Sequence, residues 1–163
     1  MSDVKTGFSK PAAPEPREFA KTRVALISTR WNVEIIDALC AGAHRAFRAW
    51  GIRDENLIET KAPGAYELPL AAHAALSSGK IDAVVALGAI IRGDTPHFEY
   101  VSGECSRGLM QVQLQFGKPV AFGVLTVNTV EQATERSGSG RDNKGYEAVS
   151  AALEMIRLMR TFR

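Results

Sequence analysis

Residues 82–100 read "DAVVALGAIIRGDTPHFEY". From Ala83 to Ile91 no side chain is polar. An unbroken apolar run of this length reads as a strand buried on both faces, as in a parallel sheet covered by helices. The run stops at Arg92-Gly93-Asp94-Thr95, and Pro96 and His97 follow. Thr95 reads as a helix N-cap and Pro96 as the first helical residue, where a missing N–H costs nothing. Phe98, Val101, Cys105, Leu109, Val112 and Phe116 then recur at helical spacing until Gly117. The stretch predicts a buried strand, a tight turn and an amphipathic helix. Such a helix start binds anions through its free N–H groups and positive end, and His97 sits beside it as a proton carrier.

The same unit recurs on either side. "RVALIS" from Arg23 reads as a buried strand. Asn32 reads as the cap of a helix, with Glu34 in its first turn. Ile36, Leu39, Cys40, Ala43, Phe47 and Trp50 form the apolar stripe of that helix, and Gly51 stops it. "NLIETKA" is a second strand, and a turn and a helix from about Glu67 to Gly79 follow it. "PVAFGVLTV" is a fourth strand. Thr129 to Gln132, "TVEQ", matches a capping box and opens a short helix that ends near "RSGSG". A last helix runs from about Lys144, with Tyr146, Val149, Leu153 and Ile156 inward. Four strand–helix units and a closing helix predict an α/β fold. Its form is a three-layer, flavodoxin-like doubly wound domain with a four-stranded parallel sheet, over residues 23–163. Residues 1–22 hold Pro11, Pro14 and Pro16 and few apolar side chains. They read as a flexible or partner-docked N-terminal tail.

Composition narrows the function. The 163 residues are 45% hydrophobic and 23% charged, enough for one domain with a core. A net charge of +2 without a basic, aromatic-interleaved run argues against nucleic acid. No segment reaches the ~20 apolar residues of a membrane span. The N-terminus lacks the apolar core of a signal peptide. Cys40 and Cys105 are not in a Cys-x-x-Cys pair, and each falls on an apolar helix face. They read as reduced thiols of a cytoplasmic protein.

In doubly wound sheets ligands sit beyond the carboxyl ends of the strands. There the sequence puts Trp31 after strand one, Tyr66 and Glu67 after strand two, and the turn ending at His97 after strand three. Two aromatics, a carboxylate, a helix start and a histidine suit a flat polar heterocycle with a hydroxyl-rich substituent and an anionic co-substrate. Each feature also has an ordinary reading. Thr95-Pro96 is a common cap, His97 a surface histidine and Trp31 a core residue. Glu67 and Arg136 are partners of helix dipoles, and Lys144 is a solvated loop residue. Arg92 reads as half of a structural ion pair. His44 and His73, in mid-helix, read as structural or solvated.

"RWN", "PGAYELP", "LGAIIRGDTPHFEYV", "FGVLT", "EQATERSG" and "NKG" stand in the order and spacing of the 6,7-dimethyl-8-ribityllumazine synthase family. The chain resembles that family over about residues 23–162. The resemblance implies condensation of 5-amino-6-(D-ribitylamino)uracil with 3,4-dihydroxy-2-butanone 4-phosphate, releasing phosphate and water, in riboflavin biosynthesis. It implies no metal or organic cofactor. Trp31 would stack on the pyrimidine, and Ala65, Tyr66 and Glu67 would hold the ribityl side. Ala89, Ile90 and Ile91 would read the ring edge, and Asp94 and Thr95 would offer backbone amides to the phosphate. His97 would be the proton donor and acceptor. Phe122, Arg136 and Lys144 match positions that reach in from a neighbouring subunit, with Arg136 on the phosphate. Self-association to a pentamer or larger shell is implied. Relatives commonly carry Phe at the position of Trp31 and a small residue at that of Asp94.

The alternative is a flavin-binding or shell-forming paralogue with weak synthase activity. The presence of His97, Arg136 and Lys144 favours the enzyme. Riboflavin shares the pyrimidine edge and ribityl chain, so it is an expected ligand on either reading. A response-regulator-like module would need an acidic cluster after strand one, and "STRWN" has none.

Overall fold

A computed structural model describes residues 9–163. β1 (Val24–Thr29), β2 (Leu57–Ala62), β3 (Ala83–Ile91) and β4 (Val120–Val127) form one all-parallel sheet in the order β2-β1-β3-β4. The helices are α1 (Val33–Ala49), α2 (Leu68–Ser77), α3 (His97–Phe116), α4 (Val130–Arg136) and α5 (Lys144–Arg160). Alternation along the strands divides the core. Leu26, Val85 and Leu87 face α1, α4 and α5, whereas Ala25, Ile27, Val84 and Ala86 face α2 and α3. This is the three-layer α/β domain that the alternating pattern predicts. β3 pays for its central place in composition: its residues from Ala83 to Ile90 are all buried.

Strand lengths create the functional end. The β1–β3 ladder stops at Ser28 opposite Leu87, whereas the β3–β4 ladder continues to Ile91 opposite Val127. β3 therefore runs past the end of β1. The helix stops follow the glycines: Gly51, Gly79 and Gly117 have φ of +76°, +71° and +58°, values that side chains disfavour.

Asn32 is the N-cap of α1, with its carbonyl accepting from the Ile36 N–H at 3.0 Å, but its side chain makes no cap bond. The residue is left-handed, φ 58° and ψ 57°, and its Nδ2 donates instead to the Ala89 carbonyl at 3.2 Å. Asparagine tolerates this conformation better than most residues, and here it bends the chain from β1 towards β3. Thr95 is not the N-cap of α3, nor is Pro96 its first helical residue. Pro96 has ψ 0° and accepts a turn-type bond from the Glu99 N–H at 3.0 Å, so α3 begins at His97. Thr95 Oγ1 receives only a long bond, 3.4 Å, from the His97 N–H. Thr129 does cap α4, its side chain accepting from the Gln132 N–H at 3.2 Å, but the reciprocal half of the box shifts by one residue. The returning Gln132 Oε1 accepts from Asn128 N–H, one residue before the cap, at 2.8 Å.

Before residue 23 the sequence expects a flexible or partner-docked tail. Residues 1–8 lie outside the described residues; from Ala12 on, Ala12, Glu18 and Phe19 meet Trp50 at the end of α1 and Arg157 and Arg160 of α5. Phe19 is 1% exposed and meets Trp50 edge-on, with ring centroids 5.6 Å apart. The Arg157 guanidinium donates to both Glu18 carboxylate oxygens, at 2.7 and 2.9 Å. That pair holds the Glu18 carboxyl below the ordinary carboxylate range. Its contribution is complete above the unfolded value near 4.3 and is lost as pH falls through the lower folded value. Glu18→Gln is expected to destabilise the protein by about 1 kcal/mol at pH 7. The gap from wild type should close in melts below about pH 4. Equal melting temperatures at pH 7 would show that the pair does not tie the segment down.

Candidate active site at the carboxyl end of the sheet

The rim begins with Trp31, two residues beyond β1 and 71% exposed. A methyl group on Gly64 would lie 3.6 Å from the Trp31 indole and 3.2 Å from Glu67 Oε2. The indole and the carboxylate thus flank one glycine. Ala65–Glu67 form a single 3₁₀ turn before α2. The turn leaves Ala65 half-buried, buries Leu68 beyond it, and presents Tyr66 (59% exposed) and Glu67 to solvent. An aromatic side chain so exposed, beside a carboxylate, is a surface made to be covered.

Next to it stands the overhang of β3. The N–H groups of Val84 and Arg92 donate to the Pro119 and Val127 carbonyls on the β4 side, both at 2.9 Å. By strand alternation, the backbone groups of Ala89 and Ile91 face the other way, towards and past the end of β1. Ala89 O meets Asn32 Nδ2 there. Beyond it β1 supplies no ladder partner for Ile91, so this edge can pair with a heterocycle. Ala89 and Ile90 are buried and Ile91 half-buried, so only backbone is offered.

The third wall is the start of α3. Gly93, Asp94, Thr95 and His97 are all exposed, and the first-turn N–H groups of the helix open on the same end of the sheet. Arg92 fixes this wall from behind. It pairs with Glu99, donates Nε–H to Asn128 Oδ1 at 2.9 Å and lies 4.3 Å from the centre of the Phe98 ring. The guanidinium holds the Glu99 carboxyl below its ordinary range. Arg92 is thus the structural ion pair that its sequence context suggests, and it bridges α3 to the loop before α4. Among the described residues Asp94 has no ion-pair partner.

Trp31, Ala65, Tyr66, Glu67, Ala89, Ile90, Ile91, Asp94, Thr95 and His97 therefore share one end of the fold. Phe122, Arg136 and Lys144 stand on other elements. Phe122 is opposite Ala86 in mid-sheet, about 16 Å along β4 from the rim, and is 45% exposed on the edge strand. Arg136 ends α4, about 10 Å down that helix, and donates to Gln132 O at 3.0 Å. Lys144 opens α5 and pairs with Glu147 at 2.8 Å.

Sequence reading missed Asn32 as a contact of the β3 overhang and Asn128 as a partner of Arg92. An asparagine directly after a strand was the available signal, but it signals turns and caps equally. The cysteines take no part. Cys105 is fully buried, which pushes its thiol up to about 12, and burial also raises Cys40. Among the described residues no three histidine, cysteine or carboxylate side chains are grouped to hold a metal ion. A cavity of about 260 Å³ lies at the opposite end of the sheet, among Lys21, Asp82, Lys118 and Arg160. Two of its cations are already engaged, Lys118 by Ile81 O at 2.7 Å and Arg160 by Glu18 O at 3.2 Å.

The family model for 6,7-dimethyl-8-ribityllumazine synthase matches residues 21–160, nearly the whole chain.

Proposed function

The chain belongs to the 6,7-dimethyl-8-ribityllumazine synthase family, and from this we propose how its rim performs the reaction. The enzyme is a transferase of riboflavin biosynthesis. It condenses 5-amino-6-(D-ribitylamino)uracil with 3,4-dihydroxy-2-butanone 4-phosphate to 6,7-dimethyl-8-ribityllumazine, with loss of phosphate. Both substrates are small molecules, and the protein assembles with copies of itself.

The observation that carries the residue assignment is the overhang of β3 between Trp31 and the start of α3. The pyrimidine stacks on Trp31, with its polar edge against the strand end from Ala89 to Ile91, where the backbone of Ile91 is unpaired on the β1 side. Ala65, Tyr66 and Glu67 hold the ribityl chain, whose hydroxyls suit the Glu67 carboxylate. The phosphate sits at the N–H groups of Asp94 and Thr95, with the Asp94 carboxylate turned away from it. The 5-amino group attacks the ketone of the co-substrate and loses water to form an imine. His97 carries protons as phosphate leaves; the ribitylamino nitrogen then adds to the second carbonyl so formed, and loss of a second water closes the ring. Holding two substrates in register supplies much of the acceleration.

One rim lacks an uncommitted cation from its own helix start, because Arg92 is held by Glu99 and Asn128. Arg136 of a neighbouring copy supplies charge to the phosphate, Lys144 of that copy joins the substrate site, and Phe122 covers the ring. A pentamer, alone or within a larger shell, provides such neighbours around a closed ring. The cytoplasm is the compartment we assign, with residues 23–163 as the catalytic unit and 1–22 as an appendage. Mixing the purified protein with both substrates tests the reading, following lumazine absorbance and phosphate release together. No product at stoichiometric enzyme would refute it.

Riboflavin presents the same pyrimidine edge and ribityl chain, so it should bind the rim and be quenched by stacking. Trp31→Phe should weaken that binding about five-fold, as expected for ~1 kcal/mol of lost stacking. Trp31→Ala should weaken it further and impair catalysis. A fluorescence titration decides. Equal affinity in wild type and Trp31→Ala would remove Trp31 as the platform.

A further inference from the structure

Asn143 is 1% exposed although it ends a loop of glycine, serine and charged residues. Its amide is fully used. Oδ1 accepts from the N–H groups of Gly145 at 2.8 Å and Tyr146 at 3.1 Å and so caps α5. Nδ2 donates to the Ala38 carbonyl of α1 at 3.0 Å and to the Gly138 carbonyl at 2.8 Å. The surroundings leave no slack. A methyl on Gly42 would lie 2.0 Å from Oδ1, and one on Gly145 would lie 2.0 Å from the Leu39 carbonyl oxygen.

The two halves of this amide do different work. Capping α5 needs only an acceptor, which Ser or Asp also provides. Tying two carbonyls together needs an NH₂ group, which neither possesses. The carbonyls belong to separate segments: Ala38 to α1, and Gly138 to the chain two residues beyond Arg136. Lys144 is the next residue after Asn143. One side chain therefore fixes both the end of the helix that carries Arg136 and the beginning of the helix that carries Lys144, against the common base of α1.

We propose that Asn143 is a positioning residue for the phosphate substrate, holding the end of α4 that carries Arg136 against α1 while it caps α5. The proposal rests on the reading of Arg136 given above. A cation held by a rigid loop needs no ordering when the ligand arrives, so the tie favours binding of the charged substrate. It makes no contact with the pyrimidine and has no part in moving protons.

Asn143→Ser is the decisive variant, because it keeps a cap acceptor and removes both donations. In the assembled enzyme the KM for the butanone phosphate is expected to rise roughly ten-fold, the scale of one weakened charge-assisted contact. The KM for the uracil and kcat should stay within about two-fold, a split that general destabilisation would not produce. Gly42→Ala keeps the amide but presses on Oδ1, and should raise the same constant if Asn143→Ser does not assemble. Arg136→Ala is run in parallel. If it leaves the KM for the butanone phosphate unchanged, the assignment of the cation is wrong. If it raises that KM while Asn143→Ser, or Gly42→Ala in its place, keeps the wild-type value, the positioning role is overturned.

Discussion

Replacing His97 with Ala is expected to lower kcat by roughly 10²–10⁴, the usual worth of a general acid–base group, with the KM of both substrates little changed. The side chain stands at the first residue of α3, exposed, beside the N–H groups assigned to the phosphate. Forming the imine releases water, and eliminating phosphate requires a proton to be removed from the carbon skeleton. A side chain that both gives and takes protons near neutrality serves each step, and imidazole is the common choice. Trp31, Glu67 and the β3 overhang remain in place in the variant, so the proximity contribution survives. That survival puts the expected loss towards the lower end of the range. Single-turnover measurements of lumazine formation give the cleanest comparison. Equal rates for wild type and His97→Ala would take the histidine out of the mechanism.

A larger effect is expected when neighbours are separated. Phe122 lies about 16 Å down β4 from its own rim, and Arg136 stands at the far end of α4. If each works on a neighbouring copy, a monomer has no complete site, and its activity should fall to the level of the uncatalysed reaction. Complementation tests this without dissociating the wild type. Assayed at low butanone phosphate, His97→Ala and Arg136→Ala proteins are each expected to be far less active than wild type. Unfolded together in equal amounts and refolded, they should recover activity at about one site in four, where an intact His97 faces an intact Arg136. The same mixture assembled separately should recover none. Activity in a sedimentation-verified monomer, or no recovery on co-assembly, would overturn the shared site.

Much of the fold was legible because it is written locally. The polar-free run from Ala83 to Ile91 identifies a strand buried on both faces, and the strand is buried as that pattern requires. Gly51, Gly79 and Gly117 mark helix ends because positive φ suits glycine, and all three adopt it. The Thr129 cap works because its partners are three residues apart. Periodicity also assigns each helix its buried face: Cys105, Leu109 and Val112 are inward on α3 as their spacing predicts.

The errors and omissions share a physical cause. A cap residue looks the same in sequence whether its side chain turns back to the helix or outward. The choice for Asn32 was made by the Ala89 carbonyl, which lies 57 positions away in the chain. Phe19 lies in a proline-containing segment with no helical or strand periodicity, and Trp50 beside it explains its burial. Asn143, among serines, glycines and charges, has the composition of a solvated loop. Its burial follows from Gly42 and Gly145, which let two helices approach closely enough to enclose it. The sequence by itself determined which segments are strands and helices, which faces they bury, and which family the motifs resemble. The tertiary structure alone decided how far β3 outruns β1, and that Phe122 stands opposite Ala86 in mid-sheet. Pattern within a segment reports burial and turning, whereas register and direction depend on what the rest of the chain packs beside it.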